Sequence, residues 1–254
     1  KKNVDVVLTG DGGDELFGGY KHFQNFLIYD FLNSFSKSTI KFFLKHFNNE
    51  FFLNKKGSMY IDLFNSDQNI IDIPNYFNNH ERLTIFKDPE LFYKIDTPKK
   101  TGKDIVIDSM KNSFNNYLPE DIMFKIDRCS MLNSLEARTP YLDKGLIKYI
   151  FKNTIGKNHV SLFERRKLQK KISKGYLTKR ILSQKKRGFS FNFEVQLKNK
   201  VWKNEIYLIL TSKDCLFSKN YIDYLFKIHE KGFKVSEKIF GLLFFEIWRK
   251  KYKV

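Results

Sequence analysis

The chain has 254 residues, of which 46 are Lys or Arg and 28 are Asp or Glu, for a formal charge of +18. That length buries a core for one large domain or two small ones. The longest apolar run, Ile239–Trp248, falls short of the roughly 18 to 20 residues that span a bilayer, and no signal peptide precedes the first strand. A soluble cytoplasmic protein without a membrane partner is expected.

The positive balance favours a nucleotide, nucleic-acid or otherwise acidic partner. It is spread along the whole chain among many Asn and Phe, however, which fits a compositional bias and weakens a nucleic-acid reading. The two cysteines, Cys129 and Cys215, share no metal-ligand spacing and form no CxxC, so a reducing compartment is the default. The chain starts at Lys1 and enters an apolar run by Val4, which reads as a truncation.

Val4 to Leu8 is a short, nearly all-apolar run ending at Thr9-Gly10. It predicts a buried parallel strand, the only clear strand in the sequence. Glu15 to Tyr20 opens a helix that breaks at Gly18-Gly19 and resumes to about Leu32. Phe35 to Phe47 predicts a second apolar helix. Residues 48 to 80 read as short helices and loops. Thr101 to Tyr117 and Asp121 to Glu136 predict two long helices, with Pro119 in the first turn of the second. Ser161-Leu162-Phe163-Glu164 has the form of a capping box, so a helix is expected to start there. Residues 184 to 192 form a basic, Gly-containing loop, and helices follow near 219–231 and 235–251. The fold class is α/β and mainly helical, as one domain over 1–254.

Three segments carry candidate chemistry. Thr9-Gly10-Asp11-Gly12-Gly13-Asp14-Glu15-Leu16-Phe17-Gly18-Gly19-Tyr20 places three acids and five glycines just beyond a strand's carboxyl end, where ligands bind in open α/β sheets. Glycines let backbone N–H groups approach a phosphate. Carboxylates beside a phosphate call for a bridging cation, which suggests Mg²⁺. A tight Asp-Gly turn into a helix, with Asp14 and Glu15 favouring its first turn, accounts for the same residues. The second segment, Lys125 to Asp143, puts Met131 and Leu135 at helical spacing and supplies charge pairs from Asp127 and Arg128, then Glu136 and Arg138. Asp143 is placed to cap the next helix. Alone, it fits a salt-bridged helix with a Pro-containing exit. The third, Ser183-Gln184-Lys185-Lys186-Arg187-Gly188-Phe189, is a basic loop able to close over a triphosphate, and equally an exposed loop.

In order and in detail, the Gly-Asp-Gly-Gly-Asp-Glu-Leu-Phe-Gly-Gly-Tyr run, the Lys-x-Asp-Arg-x-Ser-Met…Leu-Glu-x-Arg-x-Pro-x-Leu-Asp run and the Lys-x-Gly-Phe loop resemble the synthetase domain of asparagine synthetases. Leu242 to Trp248 adds a weaker echo. The resemblance spans residues 4 to 250, with little from 21 to 100. It implies an ATP-pyrophosphatase-type (adenine-nucleotide α-hydrolase-like) fold, of which the strand is a remnant. It implies ATP and Mg²⁺ as cofactors, adenylation of a carboxylate (aspartate first), and attack by ammonia from a glutaminase domain to give an amide, AMP and pyrophosphate. By motif, Asp14 binds Mg²⁺, Asp11 removes a proton from the attacking nitrogen, Lys186 contacts the phosphates, Gly10 and Gly12 line the nucleotide, and Arg128, Glu136 and Arg138 shape the site or orient substrate. A homodimer is allowed for.

The Ser-Gly-Gly-x-Asp-Ser pyrophosphate loop and the glutaminase half of that family do not occur in these residues. Thr178 and Asn192 stand where the family often has Pro. The chain alone is therefore expected to be inactive. Two other readings stay open: the same chemistry on a surface-polysaccharide or secondary-metabolite carboxylate, and a basic nucleic-acid-binding remnant without catalysis.

Overall fold

The computed structural model describes residues 4–32, 77, 81, 84–91, 102, 104–184 and 191–253. They fall into two compact units, one drawing on 4–32 and 102–184 and the other on 77–91 and 191–253. The expected helix at Phe35 to Phe47 and nearly all of the loops and helices at 48 to 80 lie outside the described residues, as does Lys186.

The first unit begins with strand β1 (Val6–Leu8) and helices α1 (Gly13–Phe17) and α2 (Lys21–Leu32). The expected break falls at Gly18, whose φ of 70° is the left-handed geometry that glycine adopts without cost. Helix α3 (Ile105–Asn112) starts on Asp104, whose Oδ1 accepts from the Val106 and Ile107 amides at 3.0 and 3.1 Å. The two long helices expected either side of Pro119 are instead one run. A π-helical stretch, Ser113–Met123, carries α3 directly into α4 (Phe124–Met131), with Pro119 inside it. A wider π turn accommodates the missing N–H and the ring that an α turn would exclude.

A second correction concerns Glu136, expected at the end of a helix. Helix α4 stops at Met131, so Leu135 shares no helix face with it. The Ser134 amide reaches back to the Met131 carbonyl (2.8 Å) and Leu135 to Ser130 (3.0 Å), with Ser134 at φ 52°. This is a Schellman ending with serine in the position usually held by glycine. The chain then forms a second strand, β2 (Glu136–Arg138), parallel to β1 with Val6 opposite Glu136 and Leu8 opposite Arg138.

A 3₁₀ turn at Pro140–Leu142 leads to α5 (Lys144–Asn153), capped as expected by Asp143, which accepts from the Leu146 amide at 2.8 Å. Helices α6 (Gly156–His159), α7 (Lys167–Ser173) and α8 (Lys179–Ser183) complete the unit. No helix starts at Ser161. Its Oγ does accept from the Glu164 amide (3.1 Å), but the Glu164 carboxylate turns to Lys170 (3.1 Å) and the Ser161 amide bonds the Glu164 carbonyl (2.7 Å). Those bonds close a tight turn, and α7 begins later, after Arg166 at φ 57°. Leu16, Phe17 and Ile150 are buried together, with Tyr141, Leu146 and Leu168 packed around them.

The second unit holds α9 (Phe193–Lys198), α10 (Lys200–Leu210), α11 (Lys219–Glu230) and α12 (Ser236–Tyr252), the last two close to expectation. Leu210, Ile222, Leu225 and Ile239 are fully buried among them. Buried with them is an ion pair between Lys238 and Glu81, whose carboxylate also accepts from Tyr221 Oη at 3.2 Å. Among the described residues the architecture is mainly helical with a small two-stranded parallel sheet. No described helix is long and apolar enough to cross a membrane.

Candidate active site

The sheet register decides what the site is made of. Because β1 and β2 run parallel, the Asp11–Asp14 turn and the Thr139–Leu142 segment leave the strands at the same end, the carboxyl end, where Arg138 is the last residue of β2 and Glu136 lies two residues back along the strand. The Thr9 amide donates to the Arg138 carbonyl at 2.8 Å and holds the two exits side by side. Opposed residues of a parallel pair point to one face. Val6, Leu8, Glu136 and Arg138 therefore share a face, and all four are exposed.

On that face Arg138 Nε donates to Glu136 Oε1 at 2.6 Å. The bond and the guanidinium charge hold the Glu136 carboxyl below the usual carboxylate range, and the carboxylate raises Arg138 in turn. The pair stands in solvent, so it adds little to stability. Its value lies in presenting a cation and an anion together.

The turn opposite is fixed by steric fit. Gly12 has φ 81°, and a Cβ there would sit 2.9 Å from Leu142 Cδ2. One on Gly13 would sit 2.9 Å from the Tyr141 ring. The glycines thus interlock with the Tyr141-Leu142 pair that follows β2, and Tyr141 also packs edge-on against Phe17 at 5.6 Å. Gly10 differs: no atom lies within 4 Å of its Cβ direction, and it is exposed. At Gly19 a Cβ would meet Asp14 Oδ1 at 1.7 Å, so the Asp14 carboxylate lies directly over that glycine. Asp11 and Asp14 are both half-buried.

Supporting residues come from α2, from the turn before α7 and from α7 itself, none of them singled out from the sequence. Arg165 Nη1 donates to the Gly19 carbonyl (3.0 Å), Gln169 Nε2 to Tyr141 Oη (2.7 Å), and Gln24 Nε2 to the Ser161 carbonyl (2.7 Å). The Tyr20 hydroxyl donates to the buried Glu15 carboxylate, and burial first, then Glu15, push its pKa up. Of the predicted site residues, the structure brings Gly10, Asp11, Gly12 and Asp14 onto one turn, with Glu136 and Arg138 on the neighbouring strand. Arg128 is elsewhere on α4, exposed, with its guanidinium 5.1 Å from the Phe124 ring centroid.

Among the described residues no group of three or more His, Cys, Asp or Glu side chains could hold a metal by itself.

A small parallel sheet set among helices, with an acidic, glycine-rich turn after β1, places the first unit in the α/β class. A sequence profile described as "Asparagine synthase" matches residues 1–250, and the chain belongs to that family. It is similar to asparagine synthetase [glutamine-hydrolyzing] 1 of Bacillus subtilis (strain 168), with 29% identity over 266 aligned positions. That match covers 98% of this chain and 40% of the relative, so the chain spans about two fifths of that protein's length. No solved structure matches.

Proposed function

We propose that this chain is the part of an ATP-dependent amide ligase that binds nucleotide and acceptor, with aspartate as the acceptor and asparagine, AMP and pyrophosphate as products. The observation that carries the reading is the parallel register, which sets the exit of β1 toward the Asp11–Asp14 turn beside Arg138, itself paired with Glu136 on β2.

A carboxylate is a poor electrophile until its oxygen is joined to a good leaving group such as AMP. The site must balance phosphate charge and keep water from the activated acyl group. Gly10, open and exposed, is the glycine best placed to let a nucleotide approach the backbone. Asp14 is the carboxylate that would hold Mg²⁺, which when bound offsets the charge of the phosphates. Glu136 and Arg138 together match a substrate carrying both an ammonium and a carboxylate, as an amino acid does. Asp11 takes the proton from the attacking nitrogen, which the name of the relative suggests is supplied by glutamine hydrolysis. Lys186 contacts the departing pyrophosphate.

The test uses full-length protein containing these residues, supplied with ATP, Mg²⁺, aspartate and ammonia, and counts pyrophosphate and amide in one reaction. Asp11→Asn is expected to keep pyrophosphate release while amide formation falls by about 10² to 10⁴. Lys186→Ala is expected to slow both. Equal loss of both products in Asp11→Asn would show that Asp11 serves adenylation or folding. Pyrophosphate release that ignores aspartate but follows another carboxylate would reassign the acceptor.

A further inference from the structure

A concentration of positive charge lies on the last three helices of the first unit. There α6, α7, α8 and the turns between them border an open recess of about 830 Å³. Six lysines line it: Lys157, Lys167, Lys170, Lys171, Lys174 and Lys179. Its lining contains one acid, Glu164, which is already paired with Lys170 at 3.1 Å. Lys167 Nζ donates to the Lys157 carbonyl at 2.8 Å, a contact that leaves its charge unbalanced. Lys157, Lys171, Lys174 and Lys179 are exposed, and no acid among the described residues pairs with them. The recess therefore carries six positive charges against one negative.

Like charges drawn together on short helices repel, at a cost that neighbouring acids would ordinarily relieve. In this recess they are not relieved, so a multiply charged anion entering it gains from several cations at once. The helix ends add to this: Lys170 and Lys171 stand in the last turn of α7, where cations are favoured, which helps to hold the lysines there. The floor has a second character. Leu168, Leu177 and Leu182 give it an apolar wall. A volume of that order suits one small molecule.

We infer that this recess is a binding site for a small polyphosphorylated anion with a planar or apolar portion, of the nucleoside polyphosphate class. The phosphates engage the lysines and the remainder lies on the leucines. None of the residues that line it is assigned a part in the amide-ligase chemistry, so its test does not depend on that reading.

The probe is inorganic tripolyphosphate, titrated calorimetrically without Mg²⁺ at about 0.15 M salt, where exposed charges beyond roughly 8 Å are screened. One molecule is expected to bind per chain. The exposed-residue variant Lys171→Glu/Lys174→Glu/Lys179→Glu is expected to weaken it at least about tenfold. Charge-matched Lys200→Glu/Lys219→Glu/Lys227→Glu, in the other unit, and Asp14→Asn are expected to leave it within about twofold. Circular dichroism confirms that the variants fold, and Lys171→Gln/Lys174→Gln/Lys179→Gln, which adds no acids, is expected to give a smaller loss in the same direction. A guanosine triphosphate arm is expected to bind more tightly than tripolyphosphate if the leucine wall takes part. Equal weakening by the two glutamate triples would reduce the effect to overall charge and overturn the inference. So would loss of binding in Lys186→Ala with the recess triple unaffected, since that places the anion at the proposed catalytic phosphates. A single-stranded oligonucleotide that binds more tightly than either probe, and loses affinity in the recess triple, would replace the small ligand with a polymer.

Discussion

Gly19→Ala isolates the Asp14 carboxylate without touching it chemically. Gly19 is not in the left-handed region, so alanine is tolerated by the backbone. What alanine meets is Asp14: its Cβ would lie 1.7 Å from Oδ1 and 2.5 Å from Cγ. Ordinary van der Waals contact needs about 3.4 Å, so the carboxylate must move by more than 1 Å. Misplacement of a reacting-site group by about 1 Å can cost about 10² in rate. Gly19→Ala is therefore expected to lower aspartate-dependent pyrophosphate release by about 10²-fold in full-length protein, and to raise the Mg²⁺ concentration giving half-maximal rate. Asp14→Asn is expected to lower the rate at least as far, and the double variant little further, because both changes act on one carboxylate. Circular dichroism and thermal melting separate unfolding from misplacement. A folded Gly19→Ala protein with turnover within about threefold of the parent, or losses that simply multiply in the double variant, would falsify the assignment of Asp14 to the metal.

Gly13→Ala pushes a methyl into the Tyr141 ring and is expected to cost about 1 to 3 kcal/mol in chemical denaturation. Gly10→Ala, which meets nothing, is expected to stay within about 0.5 kcal/mol while weakening ATP binding; equal stability losses at both positions would break the distinction. Lys238→Met strands the buried Glu81 carboxylate and is expected to cost about 3 kcal/mol, most of it recovered by Lys238→Met/Glu81→Leu; a double variant no more stable than the single one would refute this. His159 is fully buried, with Nε2 2.6 Å from Thr154 Oγ1 and Nδ1 unpartnered, and burial lowers its pKa to about 4 against an opposing pull from Asp104. Between about 6.5 and 4 the unfolded chain binds the extra proton, so stability falls as pH falls, by up to about 3 kcal/mol below pH 4. His159→Leu is expected to flatten that part of the pH–stability curve, and an unchanged slope would show that His159 does not contribute to it.

Legibility in the sequence followed the strength of the local signal. The break at Gly18, the Asp143 cap and helices α11 and α12 rest on glycine geometry, a capping side chain and apolar periodicity, which act within a few residues. The second strand was hidden because the turn that closes α4 puts Ser134 in a left-handed conformation, where a glycine would have announced the stop. Pro119 misled for the opposite reason: a strong breaker sits inside a π-helical stretch that tolerates it. The capping-box pattern at Ser161 formed one of its two bonds, and the Glu164 side chain was drawn instead to Lys170. Asp11, Asp14, Glu136 and Arg138 could be singled out from their motifs. Their supports, Arg165 and Gln169, could not, since a loop arginine and a helical glutamine carry no signature until the fold brings them to Gly19 and Tyr141.

The glycines of the acidic turn do not share one purpose. Read in sequence, five of them near three acids suggest a flexible cradle for phosphate. In the fold, Gly12 and Gly13 are filled from behind by Leu142 and Tyr141, and Gly19 by Asp14, while Gly10 alone opens to solvent. Gly18 is blocked in the same way by Val160 and His159, and a segment locked at four of its five glycines has little freedom left, so the separation of Asp11 and Asp14 is set by packing before any ligand arrives. Preorganisation of this kind is what an electrostatic site requires, because groups already in place need no reorganisation as charge develops. It also explains why the Tyr141-Leu142 segment follows β2 so closely. The residues that present Glu136 and Arg138 to one side of the site are continuous with those that wedge the acidic turn on the other. A change in the 3₁₀ turn at Pro140–Leu142 is thus felt by both halves of the site, although none of its three side chains is assigned a part in the chemistry.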